Sequence, residues 1–136
     1  MGLVVPDSEE LEVINSILAA AMTLRLYSNN KTPAGGDNTA AYTEVAGGGY
    51  ASLPITFANW TIITGTPTSA TYNAFQQWTF TGVTNAPGTI YGYFVTRNSD
   101  GKLMWAERFP SASVPFSPIA GSIIRVLPKF TVGSQF

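Results

Sequence analysis

The chain has 136 residues, 45% hydrophobic but only 11% charged, with a net charge of −1. Length suits one domain built on one core, and the near-neutral charge provides no global field to attract nucleic acid or anionic lipid. The absence of Cys and His excludes disulfide and thiolate chemistry and removes the commonest general base and metal ligand.

Residues 1–6, Met-Gly-Leu-Val-Val-Pro, have no basic stretch before their apolar residues and do not read as a secretory signal. No apolar run reaches the ~18 residues of a membrane-spanning helix. Asp7, Glu9, Glu10 and Glu12 hold half of the eight acids, and seven basic and four acidic residues follow them. The head is therefore acidic and the body weakly basic. Asp7 and Glu10, three apart, predict a capped helix start, with Asp7 as the cap. Leu11, Ile14, Leu18 and Ala21 then recur at helical spacing, so an amphipathic helix is expected over residues 7–21.

From residue 22 the pattern is that of strands. Residues 22–28 alternate, placing Leu24 and Leu26 on one face and Thr23, Arg25 and Tyr27 on the other. A Gly-rich stretch of roughly twenty residues, 29–49, reads as one long loop, unusual enough to suggest a docking role. Further strands are expected at 50–57, 59–64 and 71–81, with turns at 65–67 and 85–88. Residues 89–97 and 102–109 flank Asn98-Ser99-Asp100-Gly101 and predict a hairpin at the centre of a sheet. Pro110, Pro115 and Pro118 mark coil, and a last strand at 122–127 is expected to continue past Pro128 to residue 132. Some seven or eight strands fit an antiparallel β-sandwich or jelly-roll-like domain spanning residues 1–136, with one N-terminal amphipathic helix.

Chemistry-bearing constellations are sparse. Beyond the helix the acids are Asp37, Glu44, Asp100 and Glu107. Asp100 suits a hairpin turn, Glu107 suits an exposed cross-strand ion pair, and no motif makes Glu44 and Glu107 a carboxylate pair for hydrolysis. Asp37-Asn38 has the atoms for calcium but neither the loop pattern nor an acidic cluster, so a turn role is expected. Gly47-Gly48-Gly49 lacks the ending of a phosphate loop. Asn30 and Asn59 begin glycosylation-type triplets of the kind that Asn- and Thr-rich chains carry by chance. Trp60, Tyr72, Phe75, Trp78, Tyr91, Tyr93, Phe94 and Trp105 contain enough aromatic surface for a sugar-stacking platform, but a domain this size needs most of them in its core. Arg25, Arg97, Arg108 and Arg125 all fall on expected strands, either as protein-contact residues or as solvated strand faces. No catalytic, cofactor-binding or metal residue is assigned, and no enzymatic activity is expected.

Several segments carry a resemblance. Val5-Pro6-Asp7 precedes the acidic helix, which leads into residues 24–30, Leu-Arg-Leu-Tyr-Ser-Asn-Asn. Tyr42-Thr43-Glu44, Gly49-Tyr50-Ala51, Ala58-Asn59-Trp60 and Trp-Thr-Phe-Thr-Gly at 78–82 follow. Ile-Tyr-Gly-Tyr-Phe-Val at 90–95 and Leu-Met-Trp-Ala-Glu-Arg-Phe at 103–109 complete the set. Over residues 4 to about 127 this pattern resembles small virion structural proteins of tailed bacteriophages, most of all capsid decoration (cement) proteins. The resemblance implies a homo-oligomer, a trimer by preference. It would be made in the host cytoplasm and seated on the major capsid protein at the capsid surface, without cofactor, nucleic acid or membrane. A tail or fibre-adaptor subunit is the alternative within that class, and a carbohydrate-binding module the alternative outside it. Candidate arms are residues 1–6, the Gly-rich loop and residues 132–136. Candidate assembly contacts are Leu3, Val4, Val5, Glu9, Glu12, Arg25, Arg97, Arg108, Arg125 and Phe136.

Overall fold

The computed structural model describes residues 7–65 and 68–132, with the backbone alone at Asp7, Glu10 and Val132. The architecture is mainly β, antiparallel and sandwich-like, with one helix near the N-terminus.

Helix α1 spans Asp7–Leu18. Its apolar stripe holds in part: Ile14 and Leu18 are fully buried and Leu11 partly so, Ala21 is exposed beyond the helix, and the helix packs against β4 and β9, described below. Asp7 lies inside the helix rather than capping it, and the side chains of the expected capping box fall outside the description. The helix stops three residues short of Ala21 because the Ala21 carbonyl accepts from the Asn98 amide at 2.9 Å. That bond ties Ala21 to the β-body and starts the first strand on schedule.

One sheet has the order β2-β1-β6-β7, with β1 at Met22–Tyr27, β2 at Leu53–Ile55, β6 at Gly92–Arg97 and β7 at Leu103–Arg108. The hairpin β6–β7 forms where expected, with Gly101 at φ +72° and its amide 2.8 Å from the Arg97 carbonyl. Only β6 is central, however; β7 is an edge strand. A second sheet has the order β3-β4-β9: Trp60–Ile63, Thr68–Tyr72 and Lys129–Val132. A third pairs β5, Gln76–Thr79, with β8, Ile123–Val126. The nine strands of the described residues exceed the expected seven or eight because two expected strands each divide. The stretch 71–81 breaks at Asn73–Phe75 into β4 and β5, and Pro128 separates β8 from β9, which pair in different sheets.

Alternating residues from every sheet meet α1 in the main core, which holds Leu24, Leu26, Trp60, Tyr72, Trp78, Tyr93, Val95, Ile124 and Val126. The face of β1 opposite Leu24 and Leu26 is not wholly solvated. Tyr27 does share the outer face of β1 with Arg25, but a second small core of Tyr27, Tyr42 and Phe94 forms there. Tyr42 and Phe94 stack at 5.4 Å, and Tyr27 meets Tyr42 edge-on at 5.0 Å.

The segment that covers this second core is the long Gly-rich loop, so its expected role as a free arm is also corrected. Ser28 donates to the Thr43 carbonyl at 2.8 Å and the Val45 amide to that of Leu26 at 3.0 Å, laying residues 43–45 along the edge of β1. Gly47, Gly48 and Gly49 all have positive φ. A Cβ on Gly48 would stand 2.7 Å from the Gly82 carbonyl oxygen. Only glycine permits that backbone and that approach, so the loop is locked to the body rather than held out from it.

Candidate assembly interface

The four strand arginines do not converge. Arg25, Arg97 and Arg108 belong to the four-stranded sheet and Arg125 to β8. Arg25 pairs with Glu44 at 2.9 Å and its Nε donates to Thr96. Arg97 grips Asp100 through two bonds of 3.0 and 2.6 Å, and this holds the Asp100 carboxyl down at about 2. Arg108 donates to Asn30 and to the Lys31 carbonyl, and its guanidinium lies 5.0 Å from the centre of the Tyr91 ring. Arg125 donates to Gln77 at 2.8 Å. Each has a partner within the chain, which weakens the expectation of a shared carboxylate-seeking patch.

The remaining candidates divide by position. Glu9 and Glu12 are exposed on α1, along a shallow groove that also touches Val13, Ser16 and Ile17. Leu3, Val4, Val5 and Phe136, with the arms that contain them, lie outside the described residues. Asp37 accepts from Ala34, Tyr42 and Lys31, so it closes a turn, and Asn38 caps the short 3-10 turn at Thr39–Ala41. Lys31, the Ala34 amide and Tyr42 together lower the pKa of Asp37. Among the described residues no group of three Asp or Glu stands placed for a metal ion.

Glu44 accepts from Arg25 and from the Tyr50 hydroxyl, and it bridges Tyr27 on the outer side of the four-stranded sheet. Glu107 pairs in register with Tyr93, whose side chain belongs to the main core, so the two acids occupy opposite faces. Glu107 makes no ion pair among the described residues, contrary to its expected cross-strand pairing. Trp60, Tyr72, Trp78, Tyr93 and Phe94 are buried, and Tyr91 and Trp105 partly so. Of the eight candidate aromatics only Phe75 is exposed, so those eight form no row of rings on one face.

Large apolar side chains are exposed at Val13, Phe57, Ile63, Phe75, Val83, Ile119 and Ile123, the last three to 71%, 64% and 48%. Phe80 donates to the Ser122 carbonyl and accepts from the Gly121 amide, each at 2.8 Å, which sets the 119–122 turn at the end of β5 and β8. On the outward face of that two-stranded sheet, Thr79 faces Ile123 and Gln77 faces Arg125. Beside β8 runs a groove of about 260 Å³ lined by Phe109, Pro110, Ser113, Phe116, Ile123, Ile124 and Arg125. Three successive strand residues touch it although their side chains alternate in direction, so it follows the backbone edge that β5 does not pair. It falls below the ~300–1,000 Å³ of typical small-ligand pockets and is wide enough for side chains.

Of this surface, only Arg125 is an assembly contact expected from the sequence. The signal for Ile123 was present, because Ile124 and Val126 fill the inward face of an alternating strand and Ile123 must then point out. No protein-family model, curated protein or solved structure matches the chain.

Proposed function

We propose that this chain is a capsid decoration (cement) protein of a tailed bacteriophage, a homo-oligomer by preference trimeric, that binds the head shell through protein–protein contacts alone. One observation carries the reading: on a chain of very low charge, the large apolar side chains of Ile119 and Ile123 are held in water where β8 has an edge unpaired among the described residues. Apolar side chains exposed along an open strand edge suit a site of protein contact. The likeness of the sequence to small phage virion proteins supports the same class. A cement protein acts in many copies across capsomer boundaries, so modest contacts suffice when they act together. Charge complementarity between the acidic head and the weakly basic body favours ordered rather than random association.

The experiment is quantitative protein composition of purified particles, heads and tails measured separately. A fixed, high copy number in heads is expected, and Ile123→Glu should lower that occupancy at least several-fold. Recovery of the chain in tails alone would replace the capsid reading with that of a tail or fibre-adaptor subunit. Absence from both would remove the virion reading altogether.

A further inference from the structure

The groove beside β8 has the form of a receptor for an extended strand. One wall is the free backbone edge of Ile123–Arg125, and the other is the coil that carries Phe109, Pro110 and Phe116. An added strand would satisfy the edge amides and carbonyls while alternate side chains entered the groove. The occupant must therefore be short, extended and apolar, and it must tolerate a cation at the rim, since Arg125 is exposed there.

One segment of the chain meets these terms. Leu3-Val4-Val5 is an apolar run of three residues, two of them β-branched, matching the three residues of exposed edge. Pro6, which cannot donate to a ladder, ends it. Asp7, Glu9, Glu10 and Glu12 follow at once and supply charge opposite to Arg125. The C-terminal residues 133–136, Gly-Ser-Gln-Phe, offer neither the run nor the charge. A second groove follows edge strand β7, but Pro33, Ala34, Gly35 and Asp37 form its far wall and make it a poorer seat for an apolar strand.

We propose that the β8 groove receives Leu3-Val4-Val5 of a second copy of this chain as an added β-strand, linking neighbouring subunits through exchanged arms. The proposal rests on the assembly reading above and specifies the contact between copies.

The chain has no cysteine, so introduced cysteines report contacts cleanly. Ile123→Cys is mixed in turn with Leu3→Cys, Val4→Cys and Val5→Cys under mild oxidation, and mixed disulfides are followed on non-reducing gels. Ser99→Cys on the exposed hairpin loop replaces Ile123→Cys as the control. A strand alternates, so Leu3 and Val5 should behave alike and Val4 oppositely. The favoured set should link about tenfold faster than the control, as a raised effective concentration requires. Arg125→Glu or high salt should reduce that advantage.

Three results would overturn the proposal. These are rates equal to the control, equal rates at all three positions, or a double variant joining Ile123→Cys to a cysteine at a favoured arm position that links only within one chain at high protein concentration. The wild-type chain is tested for particle binding in parallel. Binding without alternating cross-links rejects the arm exchange and leaves the cement reading standing; cross-links without binding do the reverse.

Discussion

The Arg25 guanidinium stands 2.9 Å from the Glu44 carboxylate, joining β1 to the returning end of the long loop. The other oxygen of Glu44 accepts from the Tyr50 hydroxyl at 2.7 Å, and that hydroxyl accepts from the Leu26 amide. Burial, followed by the bond to Glu44, pushes the Tyr50 pKa well above its usual value. One carboxylate thus fastens two points of the loop to the sheet. Removing it in Glu44→Ala strands both donors and should cost about 1–2 kcal/mol, since hydrogen bonds to a charged group are worth more than neutral ones but this pair is a third exposed. Urea denaturation measures it. Glu107→Ala, at an exposed acid with no ion partner among the described residues, should stay within about 0.5 kcal/mol.

Gly92, in β6, has no room for a side chain. A Cβ there would collide with the Glu107 carbonyl oxygen and stand 2.6 Å from the Tyr27 hydroxyl. The Tyr27 ring lies against this point of β6, and its hydroxyl donates to the Lys31 carbonyl at 3.0 Å. Gly92→Ala must displace backbone or the second aromatic core, and a loss of about 3 kcal/mol is expected from overpacking. Gly35→Ala, with nothing within 4 Å of the added atom, is the matched control and should change stability little. Thermal melts of the two variants test the contrast.

Trp60→Ala and Trp78→Ala separate core packing from a sugar platform. Both rings are buried, and Trp78 Nε1 donates to the Ala51 carbonyl at 2.9 Å. Truncation should cost about 3–5 kcal/mol, as for other buried aromatic side chains. Phe75→Ala removes an exposed ring and should leave the melting temperature nearly unchanged. Glycan binding lost in Phe75→Ala without unfolding would revive the carbohydrate-binding alternative.

Acid should act through Asp100. Its carboxyl lies at about 2 in the fold, against an ordinary 3.8, because the Arg97 bonds and then the Lys102 amide favour the charged form. A depressed carboxyl contributes stability that is present above pH 3.8 and is lost as pH falls toward 2. Asp100→Asn should flatten the stability profile in that window. At the alkaline end, burial raises Tyr27 and Tyr93 to about 12 from 10, with Glu107 adding to both and Arg108 opposing it at Tyr27. Their contribution is whole below pH 10 and falls as pH climbs to 12, so melts should drop there and less so in Tyr93→Phe.

Local chemistry carried much of the reading. The α1 stripe of Ile14 and Leu18 and the inward Leu24 and Leu26 needed only periodicity, and the Gly101 hairpin needed only turn chemistry. The turn role of Asp37 was legible in the same way. The break at Asn73–Phe75 was not, because the surrounding aromatics and threonines suit a strand on either side of it. Nor was the separation of β8 from β9, which depends on which distant edges, β5 and β4, were available to pair.

The amino-acid sequence by itself determined a β-rich fold with one amphipathic helix, its aromatic core and the scarcity of reactive groups, since composition and spacing act locally. Tertiary structure alone decided that Tyr27 is buried, that the Gly-rich loop is fastened down, and that each strand arginine has a partner within the chain. It also decided that an apolar groove opens beside Arg125. Apart from the Arg97–Asp100 pair, which is local to the hairpin turn, these outcomes depend on contacts between residues distant in the sequence, and no local pattern specifies which distant segment will cover a given face.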